Sequence, residues 1–175
     1  MLHQSERSKS SQSDEWWTPH NLFWELCDKY NFYPEIDVAA TEGNSLCRFF
    51  FTKKDNALKR DWIKGKKNRK CWNNPPAKEQ GKFIVKAYQQ YRDLRIKTMQ
   101  IVPLNVQSSK AFQIVQKAIE RGEKIMVRPI DGRRVFLYKG KKSVTIKRKK
   151  KKITSSINGY CVIIYGKSRD YGFRY

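Results

Sequence analysis

The chain has 175 residues, enough for one domain with a core of its own. Its 38 Lys and Arg stand against 16 Asp and Glu, a formal net charge of +22. That excess goes well past what solubility requires and points to a polyanionic partner, nucleic acid first, with a solvated Lys-rich surface as the plain alternative. A run of roughly 18 apolar residues is missing, as is an apolar stretch near the N-terminus, so neither a membrane span nor a secretory signal is expected and a cytoplasmic protein is.

Residues 1–13, "MLHQSERSKSSQS", are polar, Ser-rich and aperiodic, and read as a disordered tail ahead of a domain over 14–175. Thr18-Pro19 reads as a helix start, with Thr18 as N-cap and Pro19 at the first helical position. Phe23, Leu26, Cys27 and Tyr30 recur at helical spacing, predicting an amphipathic helix over 19–30. "EIDVAA" reads as a strand ending near Asp37, and "RFFFT", 48–52, as a second short apolar run. After a basic turn at 64–70, Cys71-Trp72 begins a strand that must stop at Pro75-Pro76, because proline has no N–H for a sheet ladder.

Residues 81–92 place Phe83, Ile84, Ala87, Tyr88 and Tyr91 on one helical face, "MQIVPL" follows as a strand, and Ser108 or Ser109 caps a helix that Gly122 ends. Three strand-like runs close the chain, "KIMVRP", "RRVFLY" and "YCVIIY". Helix–strand alternation followed by strands predicts an α/β domain, its sheet mainly parallel with antiparallel strands at the C-terminal end. Between the last two runs lies a basic insert, residues 139–156, whose Lys147, Arg148, Lys149, Lys150, Lys151 and Lys152 are candidates to contact a DNA backbone. A solvated loop or a localisation signal are the other readings of that run. Cys27, Cys47, Cys71 and Cys161 are widely spaced, without a CxxC pair or a nearby histidine; they read as reduced, mostly buried thiols, and no metal is expected.

"CWNNPP", residues 71–76, carries the chemistry. An amino group on a nucleobase is a poor nucleophile because its lone pair is delocalised into the ring. Two acceptors aimed at its hydrogens hold the nitrogen and favour a more tetrahedral geometry. The Asn74 side-chain carbonyl is one such acceptor, and the backbone carbonyl beside the first proline is another. By itself, Asn-Pro-Pro after a strand is also an ordinary turn.

In context the motif gains meaning. "DEWWTPHNLFWELCDKYNFYPEIDVAA", then "FFTKKDNALKRDW", then "CWNNPP" and the later "GRRVF" resemble, in order, elements of the phage-type DNA N6-adenine methyltransferases. The resemblance implies a Rossmann-like methyltransferase sheet, S-adenosylmethionine as cofactor, DNA as partner, and the host cytoplasm as the location if the chain is phage- or virus-encoded. It implies catalytic roles for Asn74, Pro75 and Pro76. It also implies cofactor contacts from Trp17, Thr18, Pro19, Asp37, Ala39 and Asp55. Turn-capping roles for Asp37 and Asp55, and a core role for one of the two tryptophans, are the structural alternatives.

The chain departs from the family at position 77, where an aromatic residue is expected to stack on the target base and alanine stands instead. Either another ring, such as Phe83 or Phe136, replaces that aromatic, or activity is weakened or lost. The glycine-rich cofactor loop of many methyltransferases is also missing, with Gly43 the sole glycine near Asp37. The resulting expectation is an adenine-specific DNA methyltransferase. The alternatives are a non-catalytic DNA-binding protein on a decayed scaffold, which Ala77 and the charge favour, and an RNA methyltransferase.

Overall fold

The computed structural model describes residues 16–63, 70–132, 134, 136–138 and 159–167. Along the chain the elements are β1 (Trp16–Trp17), α1 (His20–Tyr30), β2 (Ile36–Asp37), β3 (Phe49–Phe50), β4 (Lys70–Asn73), α2 (Gln80–Leu94), β5 (Lys97–Pro103), α3 (Lys110–Glu120), β6 (Ile125–Pro129), β7 (Leu137–Tyr138) and β8 (Tyr160–Tyr165). Single-turn 3-10 helices at Ala77–Glu79 and Leu104–Ser108 precede α2 and α3. Residues 1–13, read above as a disordered tail, most of the expected basic turn (64–69) and the basic insert at 139–156, with Lys147 to Lys152, lie outside the described residues.

Six strands form one sheet in the order β3-β2-β4-β5-β8-β6. β3, β2, β4 and β5 pair in parallel, whereas β8 runs antiparallel to both of its neighbours, β5 and β6. The sheet is therefore mainly parallel and Rossmann-like, with the antiparallel pairings confined to its C-terminal part, as the alternation of elements predicts. β8 is continuous in "YCVIIY" because both faces of a central strand are covered, which removes the need for polar alternation.

Side chains leave the strands alternately to the two faces. On one face Trp72, Met99, Ile101, Val162 and Ile164 pack against Leu22, Phe23, Leu26 and Cys27 of α1. On the other, Cys71, Val102, Ile163 and Tyr165 pack against Phe83, Ile84 and Ala87 of α2 and Phe112, Val115 and Ala118 of α3. The result is a helix–sheet–helix sandwich whose strand ends are left open.

Local details correct two expectations. Thr18 does not cap α1: the N-cap is Pro19, in extended conformation, and the helix begins at His20. The Pro19 carbonyl opens the helix by accepting from the Phe23 N–H at 3.1 Å, while the Thr18 side chain is buried instead of turned back on the helix end. Among the described residues of the run "RRVFLY" the strand is Leu137–Tyr138, and it pairs with β1, not with the main sheet. Burial of Phe136 against Tyr160, ring centroids 4.4 Å apart, and the Arg134–Glu25 ion pair hold this segment over α1 and away from the sheet edge. At α3 the choice between two serines falls on Ser109, whose side chain accepts from the Phe112 N–H at 3.2 Å. Gly122, at φ +80°, closes that helix where a side chain would be strained.

Candidate active site

The sheet gathers the predicted site residues at one edge. β3, β2 and β4 are parallel neighbours, with Ile36 aligned to Phe49 and to Cys71. Asp37 ends β2, Asn73 ends β4, and the Asp55 turn follows β3, so the segments carrying Asp37, Asn74 and Asp55 leave the sheet from the same, carboxyl-terminal edge. In open α/β sheets this edge is where ligands bind.

Asp37 is buried, and its two carboxylate oxygens accept from the backbone N–H groups of Ala39 at 3.2 Å and Leu46 at 3.3 Å. Those bonds tie the loop 38–46 back onto the end of β2. Within it Thr41 donates through its N–H and hydroxyl to Asn44 Oδ1, at 2.6 and 3.0 Å. Burial pushes the Asp37 carboxyl up to about 7, against the lowering effect of the two backbone donors. Among the described residues it has no ion-pair partner. A cation arriving at this carboxylate would stabilise its charged form.

Asp55 accepts from the N–H and hydroxyl of Thr52, at 2.7 and 2.8 Å, and so fastens the turn that leaves β3. Downstream, Trp62 is fully buried; its N–H donates to Gln90 Oε1 at 2.7 Å and its indole N–H to the Ala57 carbonyl at 2.8 Å. The polar side chain of Gln90 therefore pins a loop that the hydrophobic pattern of α2 gives no reason to expect.

β1 lies across this edge. It pairs antiparallel with β7, Trp16 opposite Tyr138 and Trp17 opposite Leu137. The Trp17 ring reaches the loop held by Asp37, its Cη2 standing 3.8 Å from where a Cβ on Gly43 would be. Thr18 is buried and its hydroxyl has no hydrogen-bond partner among the described residues. Trp17 thus meets the loop that Asp37 holds, in which Ala39 is half-buried.

Asn73 and Asn74 face opposite ways. Asn73 is fully buried beneath α2 and its amide finds no partner among the described residues; Gln100, aligned with it on β5, is in the same condition. Asn74 turns to the β1 side and its Nδ2 donates to the Trp16 carbonyl at 3.1 Å. Among the described residues Asn74 Oδ1 accepts nothing. Pro75 is buried and its carbonyl is likewise unengaged, whereas the Pro76 carbonyl accepts from the Glu79 N–H at 2.9 Å. Asn74 Oδ1 and the Pro75 carbonyl are therefore two acceptors on consecutive residues of a turn that two prolines restrict.

Neither ring proposed to replace the aromatic at position 77 presents a free face. Phe83 is buried and packs with Trp62, centroids 6.2 Å apart, and Phe136 is buried against Tyr160. Ala77, half-buried, opens the short turn before α2. Of the residues singled out from the sequence, Asp37 ends β2, Asn74 follows β4 and bonds the Trp16 carbonyl, and the Trp17 ring meets the loop after β2. The Trp16 carbonyl escaped notice, because a backbone atom leaves no trace in residue identity.

Cys27, Cys71 and Cys161 are buried, all four cysteines are free thiols, and burial pushes Cys27 up to about 12. They are inert packing groups in this state. Among the described residues no helix is long and apolar enough to cross a membrane.

A family profile described as "DNA N-6-adenine-methyltransferase (Dam)" matches residues 4–168. A protein of Escherichia phage T1 named "DNA N-6-adenine-methyltransferase" is 38% identical over 77 residues, covering 44% of this chain and 31% of the phage protein. A protein of the same name from Haemophilus phage HP1 is 33% identical over 102 residues, 58% of this chain and 56% of that one. "Putative methyltransferase YfdM" of Escherichia coli K12 is 32% identical over 65 residues, 36% of this chain and 70% of its own length. The chain thus spans about a third and just over half of the two phage proteins it matches.

Proposed function

Because the chain belongs to the DNA N-6-adenine-methyltransferase family, we propose that it transfers a methyl group from S-adenosylmethionine to the exocyclic amino group of adenine in DNA. The observation that carries this reading is the Asn74–Pro75 pair of open acceptors, with the Asn74 amide nitrogen already committed to the Trp16 carbonyl. Adenine turned out of the helix would bring its amino hydrogens to Asn74 Oδ1 and the Pro75 carbonyl. Both acceptors are set before the base arrives, so little reorganisation is needed as charge develops on the nitrogen. Neither has to take a proton, so the site works without a general base of matched pKa at this position.

S-adenosylmethionine, when bound, supplies an electrophilic methyl and a positive charge. Two features at the β2 end support such a group. Asp37 is a buried carboxylate with no cationic partner among the described residues, and the Thr18 hydroxyl is buried with no hydrogen-bond partner among them. Trp17, Thr18, Pro19, Asp37 and Ala39 would hold the cofactor, with Asp55 shaping the wall beside it. The Lys and Arg of residues 147–152 would neutralise DNA phosphates, in keeping with the +22 net charge.

The test is transfer of labelled methyl groups to adenine-containing duplex DNA and, in parallel, to RNA of matched sequence, with the modified nucleoside identified by mass spectrometry. N6-methyladenine in the DNA is the expected product. Label appearing in RNA alone would replace DNA by RNA as the substrate. Binding of DNA with no transfer to either polymer would return the chain to a non-catalytic role.

A further inference from the structure

A carboxamide has two ends that differ in chemistry and hardly at all in shape. Which end of Asn74 meets the substrate decides whether the site accepts or donates. The Nδ2 of Asn74 donates to the Trp16 carbonyl at 3.1 Å, across 58 positions of sequence, and no other hydrogen bond to this side chain exists among the described residues. Trp16 in turn is held by antiparallel pairing with Tyr138 in the β1–β7 ribbon. That ribbon is separate from the main sheet. Its strands are two residues each. We propose that the Trp16 backbone carbonyl, carried on the β1–β7 ribbon, is a positioning group that sets the orientation of the Asn74 amide and makes asparagine, not aspartate, the residue this site requires.

The proposal rests on the methyl-transfer reading and deepens it. Without the Trp16 carbonyl, the amide is free to turn its Nδ2 toward the substrate, where it would oppose an amino group donor to donor. With it, the energetically matched arrangement leaves Oδ1 outward. The same contact rejects an ionised aspartate. A carboxylate at position 74 would set one oxygen against the Trp16 carbonyl oxygen, two acceptors at hydrogen-bond distance with no hydrogen between them. Protonation of that carboxyl restores the match, because its O–H donates to the Trp16 carbonyl and the second oxygen stays outward as acceptor.

The experiment follows Asn74→Asp against the parent protein, both at saturating S-adenosylmethionine and DNA, as pH is lowered from about 8 to about 6. Taking the ratio of the two rates removes effects common to both, including titration of Asp37. The expected ratio is low at the alkaline end and rises about tenfold per pH unit while the new carboxyl is mostly ionised. A merely structural role for position 74 would give a ratio that does not move with pH, so a flat ratio, whether near one or near zero, overturns the proposal.

A second measurement is independent of catalysis and of the Asp variant's folding. In the parent protein the Asn74 side-chain amide resonance, assigned by its absence from Asn74→Ala, should show one downfield proton protected from exchange. Two rapidly exchanging protons would overturn the proposal even in an active enzyme. If the parent transfers no methyl group, the function assigned above fails while the protected amide proton still tests the contact.

Discussion

The two halves of the sheet are held together by different means. In the half built from β5, β8 and β6, strands of 5 to 7 residues pair along nearly their whole length and bury Met99, Ile101, Val162, Ile163 and Ile164 between helices on both faces. In the half built from β2 and β3, each strand has two residues, the carboxylates of Asp37 and Asp55 fasten the loops that leave the strands, and the Gln90 amide of α2 holds the loop at Trp62. Ladder hydrogen bonds and apolar packing are spread over many residues, so the first half is redundant and rigid. The second half depends on individual polar hooks, in the loops where the cofactor is proposed to bind. A site needs such an edge, because a strand continued to full length would fill the space where a ligand sits.

This contrast is open to breakage from either side. The largest effect on folding is expected in the long-stranded half. Ile164→Ala removes a fully buried side chain and should cost about 2–5 kcal/mol in a denaturation experiment. Its methyl-transfer rate per folded molecule should stay at the parent value.

Asp37→Asn probes the other half. Asp37 has a folded-state pKa of about 7, raised above its unfolded value by burial, so the stability it contributes is present below the unfolded pKa and is lost as pH rises through about 7. A bound cation favours the ionised form. Titration calorimetry should therefore show S-adenosylmethionine affinity rising with pH toward about 7 in the parent. In Asp37→Asn affinity should be weak and independent of pH, because the amide cannot accept from both Ala39 and Leu46 and carries no charge. Parental affinity in that variant would move the cofactor away from the β2 end.

Ala77→Tyr asks whether the site half has spare room. Phe83 and Phe136 are committed to packing, so a new ring should gain up to about 1–3 kcal/mol of stacking on an extrahelical base, read as tighter binding of DNA carrying a fluorescent adenine analogue. Weaker binding in a stably folded variant would mean that the space is already filled. The smallest effect is expected for Asp55→Ala, which removes the two bonds fastening the Thr52–Asp55 turn. A loss of about 1 kcal/mol in stability, the usual range for a lost side-chain cap, should accompany a rise in the cofactor dissociation constant with little change in turnover. Loss of turnover at saturating cofactor would give Asp55 a more direct role.

Much of the long-stranded half was legible in the sequence, because periodicity reports burial. "YCVIIY" and "KIMVRP" signal strands by composition, and Phe112, Val115 and the Ser109 cap signal α3. The site half was legible mainly through motif order: Asp37 and Asn74 are visible as strand-ending residues in a pattern, not through any local hydrophobic signal. The ribbon β1–β7 was not legible. Its pairing joins residues more than a hundred positions apart, and its register depends on Phe136 and Arg134 fixing the segment over α1. Asn73 and Asn74 show the same limit at single-residue scale. Adjacent and identical in chemistry, they differ in that Asn73 ends β4 and is fully buried whereas Asn74, just past it, bonds the Trp16 carbonyl.

That pair also gives the most direct test of the central claim, that the Asn74 amide is the acceptor on which transfer depends. Asn73→Ala and Asn74→Ala are compared with the parent for the rate of N6-methyladenine formation in DNA at saturating cofactor, alongside thermal melting. The account predicts that Asn74→Ala melts with the parent and loses about 10²–10³ in rate, the cost of one preorganised hydrogen-bond group. It predicts that Asn73→Ala, whose side chain faces the α2 core, keeps a rate within about tenfold of the parent, less than the cost of that group. Near-parental turnover by Asn74→Ala, or the large loss falling on Asn73→Ala instead, would contradict it.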